Sequence, residues 1–187
     1  MSKKQIANMS DFAAYTHKTP LFSLETTTSA SASASASASS LQPARVVGIH
    51  DGDTMSCILN VNGSFARFNI RLTGIDSPEM TSRDPALKAA AIQVRDHVIS
   101  LVTQKPYDSR KTPHVTRTDI CEYLCKEVYM VNLHCGQFDK YGRVLAEVFV
   151  PDNSQGGQGY QSINNILIKE GLVNSYDGGH KLTTFNI

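Results

Sequence analysis

The sequence predicts an α+β fold: a five-stranded OB-type β-barrel with two helices, preceded by a disordered N-terminal tail. Three observations predict it. Five short apolar segments are separated by turn residues, helical patterns follow the third and fifth segments, and the composition changes abruptly near residue 43. We assign residues 1–43 to a disordered, Ser/Ala-rich leader, residues 44–181 to the barrel domain and residues 182–187 to a C-terminal tail.

The first three strands are expected to follow one another in hairpins. Residues 45–49 and 55–61 are rich in apolar residues and predict strands, and Asn62-Gly63 between the second and third strands is a strong signal for a tight turn. Residues 65–72 form the third strand, in which apolar and polar residues alternate. This alternation directs Arg71 away from the apolar side.

A helix is expected next, beginning at Asp84-Pro85. Asp is a favoured N-cap residue, and Pro suits the first helical position. Apolar residues then recur at spacings of three and four until Pro106 ends the pattern. They predict one buried stripe, formed by Leu87, Ala91, Val94, Val98 and Leu101.

The last two strands and a second helix complete the predicted domain. Residues 128–133 and 144–150 have the composition of strands, and residues 136–142 between them are assigned to a loop. The Gly- and Gln-rich residues 151–160 are assigned to a second loop. Ser162 then caps a short helix.

The leader differs from the rest of the chain in composition. Serine and alanine alternate strictly from Ser29 to Ser39, and alanine buries too little area to offset the entropy lost on ordering. We therefore expect a flexible linker. The larger apolar residues upstream allow a second interpretation, a short motif that docks a protein partner: Phe12, Tyr15, Leu21, Phe22 and Leu24.

Composition and charge exclude some classes of protein. The chain has no apolar run of about 18 residues and no unbroken apolar stretch typical of a signal peptide. We therefore expect an intracellular, cytoplasmic monomer with reduced cysteines and no membrane contact. Residues 41–187 contain 15 basic and 15 acidic residues, whereas passive nucleic-acid binders usually have a basic excess. A polyanion would have to be held by local positive charge or a bound cation.

Three carboxylates are candidates for a cation site. Asp76 and Glu79 lie in the loop after the third strand, which Pro78 stiffens, and Asp53 lies in the turn between the first two strands. Carboxylates without thiol or imidazole suit a hard cation such as Ca²⁺ or Mg²⁺, and a backbone carbonyl such as that of Ser77 would add a ligand. The alternative is a solvated acidic turn beside an unrelated loop.

Two arginines, Arg71 and Arg143, flank these acids in the sequence. A guanidinium stays ionised and its planar fork fits phosphate oxygens. Together with a cation and a spare carboxylate, such a pair provides what phosphodiester hydrolysis needs. The alternative for either arginine alone is an ordinary salt bridge.

The three motifs together resemble the signature of the staphylococcal nuclease family. They are D-G-D-T at residues 51–54, R-L-T-G-I-D-S-P-E at residues 71–79 and D-K-Y-G-R at residues 139–143, in the same order as in the family. The resemblance covers roughly residues 44–176. It implies a metal-dependent nuclease on an OB-type barrel that cleaves DNA or RNA at the 5′ P–O bond and leaves 3′-phosphates.

The resemblance also implies roles for individual residues. Asp53, Asp76 and the carbonyl of Ser77 would ligate Ca²⁺, with Mg²⁺ as a substitute. Glu79 would act as general base, and Arg71 and Arg143 would grip the scissile phosphate. The expected substrate-binding residues are Lys140, Tyr141 and, for base stacking, Tyr176.

The chain departs from the family pattern in three places. Residues 104–127 are longer than the usual connection and carry a local basic excess, so they form either a solvated insertion or a substrate-binding arm. The loop between Glu79 and Asp84 is short, and eleven residues follow Tyr176 where founding members of the family have another helix.

Two other classes of function compete with an active nuclease. One is a catalytically inactive barrel that binds nucleic acid or protein, and the other is a scaffold whose tail docks a partner. The retained set of acids and arginines favours the enzyme, because a binding module has no need to keep them together.

Overall fold

The computed structural model describes residues 8–22, 41–112, 114–152, 159–179 and 185. The remaining residues of the predicted leader and of the C-terminal tail lie outside the described residues, as does most of the predicted loop at 151–160.

A closed five-stranded barrel forms the centre of the molecule. Its strands are β1 (Gln42–Ile49), β2 (Thr54–Val61), β3 (Ser64–Leu72), β5 (Met130–Phe138) and β6 (Val144–Asp152). Neighbours pair antiparallel in the order β3-β2-β1-β5-β6, and a parallel pairing of β3 with β6 closes the barrel. The predicted OB-type α+β fold is therefore confirmed.

Shorter elements complete the domain. Two short strands, β4 (Ile75–Asp76) and β8 (Asn174–Ser175), pair with each other outside the barrel. A further strand, β7 (Gly159–Ser162), extends the sheet beyond β6. The helices are α1 (Pro85–Thr103), α2 (Arg117–Cys125) and α3 (Ile163–Lys169).

Local signals account for several of these boundaries. Asn62 and Gly63 both have positive φ, as the predicted hairpin turn requires. The Asp84 side chain accepts a hydrogen bond from the N–H of Ala86 and Pro85 opens α1, while the Ser162 side chain accepts one from Asn165 and caps α3. No described helix is long and apolar enough to cross a membrane.

The structure corrects two predicted loops and adds a helix. β5 continues through Gly136 to Phe138, and β6 extends to Asp152 and is followed by β7. These extensions depend on pairing between strands, which the local composition does not reveal. The additional helix, α2, lies in the insertion and buries Ile120 and Leu124 in the main core, so the insertion is not simply solvated.

The insertion is fastened at several points. The N–H and hydroxyl of Ser109 donate to the buried Asp96 carboxylate at 2.7 and 2.6 Å, which holds the insertion to α1. The Lys105–Glu127 ion pair at 2.5 Å joins its two ends.

Residues 8–22 pack against the barrel, in contrast to the disordered leader predicted over residues 1–43. Phe12 is fully buried and meets the Phe65 ring edge-on, with ring centroids 4.9 Å apart. Farther along, Phe22 donates its N–H to the Arg67 carbonyl and its ring stacks on Phe68. This contact covers the part of β3 that β6 leaves unpaired, and an uncovered edge would invite association with other chains.

A buried arginine holds the segment in place. Arg45 is only 2% exposed, and its Nη1 donates to the carbonyls of Phe12, Ala13 and Tyr15. Its Nη2 reaches the carbonyls of Cys125 and Glu127, each at 3.3 Å. The N-terminal segment, β1 and the end of α2 are thus joined through one side chain.

Phe12→Ala tests this docking. Because truncation of a buried Phe typically costs about 3 kcal/mol or more, the unfolding free energy should fall by about that amount. Met9→Ala is the matched control, since Met9 is 58% exposed and its loss should change stability by less than about 0.5 kcal/mol. Denaturant unfolding measures both, and equal stability of Phe12→Ala and wild type would mean that the segment does not dock.

Candidate active site

The loop that follows β3 is held from two sides. The N–H of Thr73 donates to the Ala146 carbonyl at 2.9 Å, and Asn164 on α3 donates to the Thr73 carbonyl at 2.7 Å. The Asn164 amide also accepts from the Val148 N–H, so it joins the loop to β6. These bonds fix the point at which the chain leaves the barrel.

The end of the domain fastens the same loop. In the β4–β8 pair Ile75 lies opposite Ser175 and Asp76 opposite Asn174, and the N–H of Tyr176 donates to the Gly74 carbonyl at 2.9 Å. The backbone of Asp76 therefore has a strand partner, although it lies outside the barrel. Tyr176, predicted as a stacking residue, follows β8 directly and lies beside this loop.

The acidic turn between β1 and β2 packs tightly against the loop. A Cβ at Gly52 would come within 2.5 Å of Val94 Cγ1 and 2.9 Å of Ser77 Cβ, so only glycine permits this approach. The Asp53 carbonyl accepts the N–H of Leu72 at 2.8 Å. The turn and the loop thus form one unit at the end of β3.

Arg71 lies between the two predicted metal-ligating carboxylates. Its Nη1 is 2.7 Å from Asp53 Oδ2 and its Nη2 is 3.2 Å from Asp76 Oδ1. The N–H and the hydroxyl of Ser77 both donate to Asp53 Oδ2 at 2.9 Å. The alternation in β3 directs Arg71 away from the barrel interior as predicted, but the two loops bury it to 7% exposure.

Asp51, in the same turn, gives this region an excess of negative charge. Burial and the nearby Asp53 carboxylate raise the pKa of Asp51 to about 7. The two acids are held close together because Asp51 Oδ1 accepts the N–H of Asp53. Asp51 belongs to the predicted D-G-D-T motif, but no role was predicted for it.

Arg143 is presented by a tight turn. Its Nε is 2.7 Å from Asp139 Oδ2, and Asp139 Oδ1 accepts the N–H groups of Tyr141 and Arg143. Burial alone would raise the pKa of Asp139, but the hydrogen bonds from Arg143 and Tyr141 hold that pKa below its usual value. Asp139 was not predicted as a site residue, although an Asp that precedes a Gly turn is a recognisable signal.

The two arginines belong to neighbouring strands. In the parallel pairing of β3 with β6, Arg71 lies opposite Leu145, and Arg143 precedes Leu145 by two residues. Arg143 immediately precedes β6, so this register places it near Arg71 at the same end of the β3–β6 pair. The structure therefore places the loop after β3 close to the Arg143 turn, as the family resemblance implies.

Lys140 and Tyr141 lie at the tip of the Arg143 turn. Tyr141 is 72% exposed, and its ring centroid is 5.1 Å from Lys140 Nζ and 5.4 Å from Arg143 Cζ. An exposed ring beside two cations is suited to contact with a base while the cations meet phosphates. Glu79 follows the buried residues 75–78 of the loop and is itself exposed to solvent.

The donors at this site fit a hard cation in their chemistry. Asp53 and Asp76 are brought close enough to share one guanidinium, and no thiol or imidazole was predicted among the ligands. Within the described ranges, however, no three His, Cys, Asp or Glu side chains are grouped to hold a metal ion. A cation here would depend on the two carboxylates together with carbonyl and water oxygens.

Asn164 is a third residue that was not predicted from the sequence, after Asp51 and Asp139. It is 3% exposed, and both ends of its amide are used in joining α3, β6 and the loop. An amide next to Ile163 on the buried side of a predicted helix must form hydrogen bonds, and this could have identified Asn164.

Asp51→Asn tests the electrostatics of the acidic turn. A carboxyl whose pKa is higher in the folded than in the unfolded state destabilises the fold increasingly as pH rises from about 4 to about 7. In the presence of chelator, the variant should be more stable than wild type at about pH 8, on the order of 2 kcal/mol, and the gain should vanish near pH 4. Thermal unfolding at both pH values measures this, and a variant that is less stable at the higher pH would contradict it.

Comparison with known families agrees with this geometry. The model of a family described as staphylococcal nuclease homologue matches residues 69–183, more than half of the chain. The match includes Arg71, the Asp76 loop and the Arg143 turn, whereas Asp53 precedes it and is connected to them by the contacts above. No curated protein matches the chain. The chain belongs to the staphylococcal nuclease homologue family.

Proposed function

We propose that this chain is a Ca²⁺-dependent nuclease that hydrolyses phosphodiester bonds of DNA or RNA at the 5′ P–O bond and leaves 3′-phosphates. The observation that carries the proposal is the position of Arg71 between two buried carboxylates, with Arg143 near it at the same end of the β3–β6 pair. A nucleic-acid binding module would gain little from burying this set of charges, because surface cations suffice to hold phosphates.

In the proposed reaction, Glu79 accepts a proton from a water molecule that attacks the phosphorus. The bond from phosphorus to the 5′ oxygen breaks, and that oxygen leaves with a proton taken from solvent. Arg143 donates to the phosphoryl oxygens, on which charge grows during the attack. Its Nε is bound to Asp139, which orients the guanidinium and leaves the Nη groups for the phosphate.

Arg71 has a more constrained role. Two of its donors bind Asp53 and Asp76, and these are also donors that a phosphate would use. A substrate phosphate must therefore bind the remaining N–H groups of Arg71 or compete with Asp53 and Asp76 for this side chain. Asp53, Asp76 and the Ser77 carbonyl would hold Ca²⁺, which when bound supplies positive charge to the phosphoryl oxygens.

Conservative substitutions test the phosphate grip. In Arg143→Lys the charge remains but the planar fork is lost, so turnover of single-stranded DNA should fall at least about tenfold. Arg71→Lys should show a similar fall. Arg110→Lys is the matched control because Arg110 is exposed and pairs only with Asp108 in the described part of the chain.

Arg71→Lys carries a greater risk of disturbed folding than Arg143→Lys. Arg71 is buried, so its variant needs an unfolding measurement, whereas Arg143 is more exposed and its variant should fold normally. Turnover within about twofold of wild type in folded Arg143→Lys and Arg71→Lys would disprove the phosphate grip, since loss of such a donor usually costs much more.

A further inference from the structure

A cleft of about 190 Å³ lies outside the candidate active site. The N-terminal segment contributes His17, β3 contributes Arg67, and the first turn of α2 contributes Arg117, while His50 follows β1. A Cβ at Gly48 would come within 3.1 Å of Cys121 Sγ and 3.8 Å of the His50 ring, so the absence of a side chain there keeps space open. The cleft exists only because the N-terminal segment and the insertion both pack on the barrel.

The charge in this cleft is positive. Neither Arg67 nor Arg117 forms a salt bridge within the described part of the chain. Arg67 Nη1 donates to the His17 carbonyl, and Arg117 Nη2 is 3.0 Å from His50 Nε2. Two guanidinium groups therefore line one small space without a carboxylate to balance them.

His50 contributes a neutral imidazole to the cleft. Burial, followed by the charges of Arg117 and Arg67, lowers the pKa of His50 to about 4. Arg117 Nη2 and Ser56 Oγ each lie 3.0 Å from His50 Nε2. His50 Nδ1 and Arg67 Nε are both buried with no hydrogen-bond partner among the described residues. The two guanidinium groups, which can only donate, thus give the cleft an excess of donors, which an anion would match.

The cleft and the candidate active site share one face of the barrel. Arg67, Asn69 and Arg71 occupy alternate positions of β3 and point outward together. Ser56 bridges this row to His50, since its hydroxyl is 3.0 Å from both His50 Nε2 and Asn69 Oδ1. Arg67 and Arg71 are four residues apart, or about 13 Å along an extended strand, too far to share one phosphate.

We propose that this cleft binds a backbone phosphate of a nucleic-acid strand, apart from the phosphate held at Arg71 and Arg143. The identity of the polymer rests on the proposed function, whereas the anion site itself rests on Arg67, Arg117 and the cleft. The insertion then acts as a substrate-binding arm through α2. A strand that spans both places must be longer than a dinucleotide.

The test compares binding of a single-stranded DNA dodecamer with binding of a dinucleotide, in chelator so that nothing is cleaved. Arg117→Gln should weaken dodecamer binding about threefold to tenfold and reduce the salt dependence by about 0.7 in the log–log slope, the value for one phosphate contact. Its dinucleotide affinity should equal that of wild type. Lys111→Gln is the matched control because Lys111 is an exposed cation of the same insertion.

Arg67→Gln provides a second variant on a different element and should show the same dependence on length. If neither variant weakens the dodecamer more than Lys111→Gln does, the proposal is overturned. A titration with inorganic phosphate separates the two sources of the anion. Phosphate binding that depends on Arg117, together with unchanged dodecamer affinity, would assign the cleft to a free anion and overturn the nucleic-acid assignment.

These outcomes are independent of catalysis. If the protein cleaves nothing with any cation but binds the dodecamer through Arg67 and Arg117, the phosphate site is supported and the proposed nuclease function is refuted. If the protein cleaves DNA but neither variant weakens dodecamer binding more than dinucleotide binding, the nuclease function is supported and the phosphate site is refuted.

Discussion

The ion pairs of Arg71 organise the candidate site. Its guanidinium joins Asp53, from the turn between β1 and β2, to Asp76, from the loop after β3, and all three side chains are buried. Burial of charges costs several kcal/mol each unless hydrogen bonds compensate, and here the N–H and hydroxyl of Ser77 supply two of them. Apolar packing would serve stability at least as well, so this network is better explained by chemistry than by stability.

Other contacts in the domain maintain this arrangement. The absence of a side chain at Gly52 lets the turn approach Ser77, and Asn164 fastens the loop to α3 and β6. The β4–β8 pair holds the backbone of Asp76 from the other side. A change at any of these positions would therefore alter the geometry of the carboxylates without contact to a substrate.

Elements with local signals could be predicted from the sequence. The Asn62-Gly63 turn, the cap of α1 at Asp84 and the cap of α3 at Ser162 all depend on residues near one another in the chain. The extension of β5 to Phe138 could not be predicted in this way, because it follows from pairing with β6. The docking of Phe12 also depends on tertiary packing, here on Arg45 and Phe65.

The site was predictable to a similar extent. The three motifs predicted which loops form the candidate site. The structure places Arg71 in contact with Asp53 and Asp76. The burial of Arg71 was not foreseen, because alternation tells which side of a strand a residue faces but not what covers that side. The docking of residues 8–22 was not foreseen either, and a deletion of residues 1–43 would remove Phe12 and Phe22 from their packing.

The most direct test of the proposed nuclease is cleavage of single-stranded DNA by the purified full chain with Ca²⁺, with Mg²⁺ and with chelator, beside Glu79→Gln. The proposal predicts products with 3′-phosphates in Ca²⁺, none in chelator, and loss of cleavage in the variant. Absence of cleavage by folded protein with either cation, or full cleavage by Glu79→Gln, would contradict the assignment.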